Sequence, residues 1–207
     1  MNSAKNRPEA LLLVDLQKDF LPGGALPVPQ GNEVIPIVNQ LLQRDWDVVV
    51  ASKDWHPENH GSFASTHGKN RGEEIELQGL KQILWPDHCV QYSEGAEFAS
   101  GWNTSKIDHI VYKGTDVNID SYSAFFDNGH KRSTGLHQYL QKKNIHVLHV
   151  AGLALDYCVK FTVLDALHLG YEVYLYVNGC RAINKQKNDE DQALAQMEQS
   201  GAHLVGL

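Results

Sequence analysis

Apolar runs and helical repeats alternate along almost the whole chain. Ala10-Leu11-Leu12-Leu13-Val14 is continuously apolar, as expected of a strand covered on both faces. Behind Asn32, a residue able to cap a helix, Val34, Ile35, Val38, Leu41 and Leu42 recur at helical spacing. Val48 to Ala51 reads as a second buried strand and Ile107 to Tyr112 as a third. Ser133 is expected to begin a helix that turns Leu136, Tyr139 and Leu140 inward. Val147 to Val150 is a fourth strand, and the helical repeat from Phe161 to Leu169 runs up to Gly170, a natural residue just past a helix end. After a fifth strand, Val173 to Val177, Asn188 is expected to cap a helix that opens with Asp189-Glu190-Asp191, charges suited to a helix N-terminus. Gly201 stops that helix, and Ala202 to Val205 makes a sixth strand.

Strand and helix in strict alternation predict βαβ units. The expected fold is a three-layer, doubly wound α/β domain whose six-stranded, mainly parallel sheet carries helices on both faces. One stretch breaks the rhythm. Residues 53–105 are rich in Gly, His, Asn and Glu and are expected to form a long functional insertion containing short helices.

Composition narrows the partners. At 207 residues and 42% hydrophobic, the chain can bury one sizeable core, so a single domain is expected. A net charge of −7 without any block of like charges speaks against nucleic acid or an anionic membrane. The apolar stretch nearest the start, Ala10 to Val14, is too short for a membrane span or a secretory signal. Three cysteines without a CxxC spacing cannot all pair, which suggests a reducing, cytoplasmic setting.

The chemistry gathers at one edge. In open α/β sheets, ligands bind beyond the carboxyl ends of the strands. Asp15 follows the first strand, Asp54 lies just past the second, Lys113 follows the third, and Cys158 lies after the fourth, where a strand passes into a helix. At a helix start, unpaired N–H groups and the helix dipole favour thiolate, the nucleophilic form of cysteine. Taken singly, each residue has a bland reading: a turn-capping Asp, a solvated Lys, a small buried Cys. Their coincidence points to hydrolysis, with Asp15 able to take the thiol proton and return it to a leaving amine. Lys113 would hold the carboxylate in place and favour anionic states around it.

A second constellation lies in the insertion. Asp54 and His56 are two apart and share a face in extended chain, and His88 or His60 would complete a three-ligand set for Zn²⁺ or Fe²⁺ with positions left open. Cys89 and Cys180 read as buried structural thiols, and His109, His146, His149 and His168 as structural histidines.

These motifs resemble the nicotinamidase/pyrazinamidase group of the isochorismatase-like cysteine hydrolases. The resemblance rests on Val14-Asp15-Leu16-Gln17-Lys18-Asp19-Phe20, Asp54-Trp55-His56-Pro57 with Asn59-His60, Trp85-Pro86-Asp87-His88-Cys89-Val90, Lys113-Gly114, Ser123-Ala124-Phe125 and Gly152 to Val159, in order. It implies a triad of Asp15, Lys113 and Cys158, and one divalent metal ion, Zn²⁺, Fe²⁺ or Mn²⁺, on Asp54, His56 and His88. His60 is a fourth ligand in some members. It further implies a cis peptide before Ala154, an oxyanion hole formed by the N–H groups of Ala154 and Cys158, and a ring pocket walled by Phe20, Leu26, Trp85 and Tyr122. The chain departs from many members in carrying Leu155 and Tyr157 beside the nucleophile, which leaves the reaction intact and bears on substrate preference.

The activity implied is hydrolysis of nicotinamide to nicotinate and ammonia in NAD salvage, with pyrazinamide as a further substrate, in a protein that tends to form homo-oligomers. Three other readings stand beside it. The same fold could act on another small amide or an N-carbamoyl compound; the metal could activate water with Cys158 merely structural; or the chain could bind without catalysis.

Overall fold

The computed structural model describes residues 7–207. Six parallel strands form one sheet: β1 (Glu9–Val14), β2 (Val48–Asp54), β5 (His109–Lys113), β6 (Val147–Leu153), β7 (Glu172–Arg181) and β8 (His203–Val205), in the order β5-β2-β1-β6-β7-β8. The predicted doubly wound sheet is present, and every pairing in it is parallel.

The apolar run of β1 is explained by the layers on either side. Leu11 and Leu13 point into one core with Val34, Val38 and Leu41 of helix α1 (Val34–Leu41). Ala10, Leu12 and Val14 point into the other, with Leu136 and Leu140 of α2 (Leu136–Lys142), Val163 and Ala166 of α3 (Lys160–His168), and Ala193 and Met197 of α4 (Asp189–Gln199). A strand buried on both faces cannot show a period of two, so an unbroken apolar run is what such a strand requires.

Local details differ from expectation where backbone turns replace side-chain caps. Asn32 lies inside a 3-10 turn, Gly31–Glu33, and α1 starts behind Glu33 without a side-chain cap. Asn188 takes a left-handed conformation and leaves the capping of α4 to Asn184, whose side-chain oxygen accepts the Glu190 N–H at 3.0 Å. Ser133 does not open α2; its hydroxyl accepts the Gly135 N–H at 3.0 Å, and the helix begins after that glycine. The insertion also holds an unexpected antiparallel hairpin, β3 (Glu74–Leu77) and β4 (Leu80–Ile83). Gln78 and Gly79 both have positive φ at its tip, the two-residue turn whose twist matches paired strands. The short helices expected in that segment amount to two 3-10 turns, Ser65–His67 and Thr104–Lys106.

The chain leaves β1 toward β2 and β5 on one side and reaches β6, β7 and β8 on the other. The switch in direction falls between β1 and β6, where doubly wound sheets open a crevice at their carboxyl ends. Gly152 brings these two strands close: it pairs with Val14 and has φ of +136°, and a Cβ there would run into the Val14 backbone. Replacing it would therefore push apart the strand ends that carry Asp15 and Cys158. No helix among the described residues is long and apolar enough to cross a membrane.

We expect Gly152→Ala to lower the free energy of unfolding by about 3 kcal/mol, combining backbone clash with a conformation unsuited to L side chains. Urea unfolding checks this; a change within about 0.5 kcal/mol, as for an inert surface site, would contradict the close approach.

Candidate active site

Three strand ends deliver three side chains to one point. Asp15 follows β1 in a left-handed conformation, φ 49°, and is wholly buried. Ser52, the hydroxyl that follows the apolar run of β2, fixes it: Ser52 Oγ donates to Asp15 Oδ1 at 2.6 Å. Lys113 ends β5 and is 1% exposed, yet its ammonium lies 2.8 Å from Asp15 Oδ2, 2.7 Å from Asp54 Oδ1 and 3.4 Å from Cys158 Sγ. It also donates to the Ser121 carbonyl at 3.2 Å. Reactive atoms of Asp15, Asp54 and Cys158 lie within 4.8 Å of one another.

Cys158 sits in a widened, π-type turn, Leu155–Val159, ahead of α3 rather than in the first turn of an α-helix. The Tyr157 and Val159 N–H groups both donate to the Ala154 carbonyl, at 3.1 and 3.0 Å, which holds the turn closed. Single π turns recur at functional sites. The peptide between Leu153 and Ala154 is cis, as the resemblance implies.

The electrostatics reverse one expectation. Burial drives the Cys158 thiol well above its ordinary pKa; Lys113 opposes this, but Asp15 and Asp54 add to it, so the resting sulfur is protonated. Burial likewise raises the Asp15 carboxyl, against the pull of Lys113. For Asp54, burial is outweighed by Lys113 and His56, and its carboxyl is held well below the usual range. Lys113 resists burial because Asp15 and Asp54 hold its proton. One carboxylate is thus fixed as an anion and the other kept basic. Asp15 Oδ2 makes no well-aligned hydrogen bond beyond its ion pair, leaving it able to take a proton.

The metal candidates converge beside this group. His56 Nε2 and His88 Nε2 lie 3.3 and 3.5 Å from Asp54 Oδ2. Each ring's other nitrogen faces a backbone carbonyl: His56 Nδ1 donates to Gly114 at 2.9 Å and His88 Nδ1 to Pro86 at 2.7 Å. That leaves both Nε2 atoms as lone pairs aimed at the same spot. Gly114 has φ of +64°, and a Cβ there would strike the His56 ring, so glycine is required beside Lys113. His56 Nε2 is buried without a partner, a polar atom that a cation would satisfy. His56 is pulled toward protonation by Asp54 despite burial, which marks the spot as one that calls for positive charge. The donor set therefore fits a divalent metal ion held by Asp54, His56 and His88.

His60 is arranged differently. Its Nδ1 accepts the Ser62 N–H at 3.3 Å and meets Ser62 Oγ at 2.7 Å, so the proton of the neutral ring sits on Nε2. Burial and the neighbouring His56 push its pKa down to about 4, keeping it neutral. In this tautomer it offers the site an N–H in place of a lone pair.

Above the sulfur lies a narrow cavity lined by Phe20, Leu26, Trp85, Tyr122, Ala154 and Cys158, together with Asp54 and His88. Every wall residue expected from sequence is there. Asp120, Tyr157 and Ile183 line it too, although none was expected as a wall. Sequence reading also missed two supports. Ser52 was signalled only as a polar residue within a buried strand. Gln17 clamps Asp54 from both sides, its Nε2 donating to the Asp54 carbonyl at 2.8 Å and its Oε1 accepting the Asp54 N–H at 2.8 Å. Cys89 is fully buried with its thiol pushed up by burial, and Cys180 is likewise core, as expected.

A doubly wound sheet with a buried carboxyl, ammonium and thiol at its switch point is the arrangement of a cysteine hydrolase. The chain belongs to the isochorismatase family: residues 9–207 match the isochorismatase domain. Over 205 residues it is 50% identical to the nicotinamidase of Escherichia coli K12, covering 97% of this chain and 95% of that one. The solved structure of an Acinetobacter baumannii nicotinamidase/pyrazinamidase superposes with a TM-score of 0.93 at 39% identity, over 98% and 97% of the two chains. A Pyrococcus horikoshii pyrazinamidase in complex with zinc superposes with a TM-score of 0.78 at 37% identity, over 96% and 99%.

Replacing Lys113 by Met strips buried Asp15 of its counter-charge and leaves Asp54 only the His56 and His88 imidazoles. In metal-free protein at pH 7 we expect a loss of about 3–5 kcal/mol in urea unfolding. Without the ammonium, burial would raise the Asp15 carboxyl further above its unfolded-chain value, and Asp54 would lose the larger of the charges that hold it down. The deficit should therefore be largest at neutral pH and shrink as pH falls through the raised Asp15 value. A deficit independent of pH would contradict this.

Proposed function

We propose that this protein is a nicotinamidase, hydrolysing nicotinamide to nicotinate and ammonia through a thioester on Cys158. The observation that carries the reading is the contact of one buried ammonium with Asp15 and Cys158 beneath a cavity into which Asp54 and His88 also face. The kinship to the E. coli nicotinamidase over nearly the full chain supports the substrate. We take residues 9–207 as one hydrolase domain whose 53–105 insertion supplies metal ligands and part of the pocket wall. Three unpaired cysteines among the described residues support a reducing, cytoplasmic setting.

Asp54, His56 and His88 would hold a divalent ion, which when bound would supply a Lewis-acidic anchor for the substrate ring; Zn²⁺, Fe²⁺ and Mn²⁺ all suit these ligands, and the zinc complex of the P. horikoshii relative supports the first. Phe20, Trp85 and Tyr122 offer ring faces and edges to the flat substrate, and Leu26 an apolar side. Asp15, raised by burial, is a stronger base than a free carboxylate and takes the Cys158 proton. The sulfur then attacks the carboxamide carbon. The N–H groups of Ala154 and Cys158 are assigned to the oxygen of the tetrahedral intermediate. Asp15 passes its proton to the amide nitrogen, which departs as ammonia, then draws a proton from the water that cleaves the thioester and returns it to the released Cys158 sulfur.

The decisive assay is ammonia release from nicotinamide by the purified protein, with and without a chelator. We expect release to fall on chelation and to return with Zn²⁺, Fe²⁺ or Mn²⁺; full activity after complete metal removal would overturn the metal assignment. Cys158→Ala should lose at least about a thousandfold in turnover while keeping its metal content, and substantial residual amidase activity would refute the nucleophile. Pyrazinamide and an N-carbamoyl compound belong in the same comparison of kcat/KM. A preference for the N-carbamoyl compound would favour the other amidohydrolase reading.

A further inference from the structure

The catalytic cavity is narrow, about 20 Å³ against about 380 Å³ for the space beside it, so the side chains that separate the two govern the route to Cys158.

Most of the wall is pinned. Phe20 is 3% exposed and Trp85 7%. Trp85 Nε1 donates to Tyr122 Oη at 3.1 Å, and Gln82 Nε2 donates to the same oxygen at 3.2 Å, so Trp85 and Tyr122 lock each other. Tyr157, like Leu26 and Ile183, is only partly buried, and it is the one of the three that also faces a larger space. Its hydroxyl makes no hydrogen bond to any described residue, and its ring meets Trp85 and Tyr122 only by edge contacts, at 5.0 and 5.6 Å between centroids.

Beyond Tyr157 lies open space. A vestibule of about 380 Å³ lies among the β3–β4 hairpin, the start of α3 and α4, lined by residues including Lys81, Ile83, Phe161 and Gln192. Tyr122 and Tyr157 are the two residues that line both it and the catalytic cavity. Of these two partition rings, one is anchored and the other is free, with room to turn into the vestibule.

We infer that Tyr157 is the door between vestibule and catalytic cavity, and that the bulk of side chain 157 sets which amides reach Cys158. The inference builds on the cavity above Cys158 being the substrate site of the proposed function. Rotation about the Tyr157 side-chain bonds would join the two spaces while the backbone of the nucleophile turn stays fixed by its bonds to the Ala154 carbonyl. Substrate would then collect outside and enter on rotamer exchange, a fast local motion.

Alkylation of Cys158 tests the door without relying on turnover. Iodoacetamide, which is small, and N-ethylmaleimide, which is bulkier, are applied to intact metal-loaded protein, and the rate at residue 158 is read by peptide mass spectrometry. The ratio of the two rates cancels any change in thiol ionisation. We expect Tyr157→Ala to raise the N-ethylmaleimide rate relative to iodoacetamide by at least about tenfold, Tyr157→Phe to keep the wild-type ratio, and Tyr157→Trp to lower it. Leu26→Ala, which trims another wall residue, should move the ratio far less. An unchanged ratio in Tyr157→Ala overturns the proposal. So does a rise in Leu26→Ala that equals or exceeds it, which would place the opening on the Leu26 side. Tyr157→Trp serves if the alanine variant does not fold, and an unaltered ratio there also counts against the door. Absence of nicotinamide hydrolysis would defeat the proposed function and leave this series readable, whereas a flat series would defeat only the door.

Discussion

A single ammonium, buried to within 1% of complete enclosure, touches two carboxylates and a thiol. Most of the site follows from that contact. Removing a cation from water costs several kcal/mol, and two carboxylates in one dry space repel each other. Lys113 and the acids are therefore tolerable only together. Proton transfer from Cys158 to Asp15 leaves the net charge of this group unchanged: the negative charge moves from one neighbour of the ammonium to another. A buried site can permit that step because no ion has to be newly desolvated. The raised resting thiol suits this arrangement, since the sulfur stays neutral until its base and clamp are both in use.

The sheet makes the contact possible. Asp15, Lys113 and Cys158 are up to 143 residues apart, as their numbers show, yet each lies at or just past the carboxyl end of a strand at the same edge. Parallel pairing puts all carboxyl ends on one side, and the switch between β1 and β6 keeps their ends uncovered. Gly152 lets those two strands approach, Gly114 leaves room for His56, and Ser52 and Gln17 hold the two acids. None of these four enters the proposed chemistry, yet each fixes a group that does.

Much of this was legible because two kinds of signal are local. Apolar runs announced doubly covered strands, and Gly170 and Gly201 announced helix ends, where both residues indeed have positive φ. The chemical residues were legible because strand ends are where such sheets bind ligands. What sequence hid was long-range or geometric. The 74–83 hairpin alternates Ile75 and Leu77 with glutamates around a Gln78-Gly79 turn, but its modest burial weakens the pattern. Asn32 and Asn188 looked like caps, yet the backbone turns ahead of α1 and α4 took over their task or passed it to Asn184. Thiolate character was misjudged for Cys158, since burial and two nearby carboxylates, invisible in sequence, outweigh a helix start. Tyr157 was noted only as a departure from relatives; its place between two spaces is a property of the fold.

Two parts of the chain therefore divide the work. Strand ends supply the groups of the proposed chemistry, which must be rigid, because a thiol, a base and an ammonium can act together only at hydrogen-bond distances. The insertion supplies His56, His60, Trp85 and His88, of which Trp85 and His88 line the cavity above Cys158. Asp54 belongs to both: one oxygen pairs with Lys113 and the other faces the two imidazoles. Its charge is consequently shared between the triad and the metal ligands. Loss of the metal would return more of that charge to Lys113, and loss of Lys113 would return it to the histidines. In the proposed function, ring recognition and amide chemistry would be coupled through this carboxylate, because the histidines that would hold a positioning ion and the ammonium beside the proposed nucleophile share it.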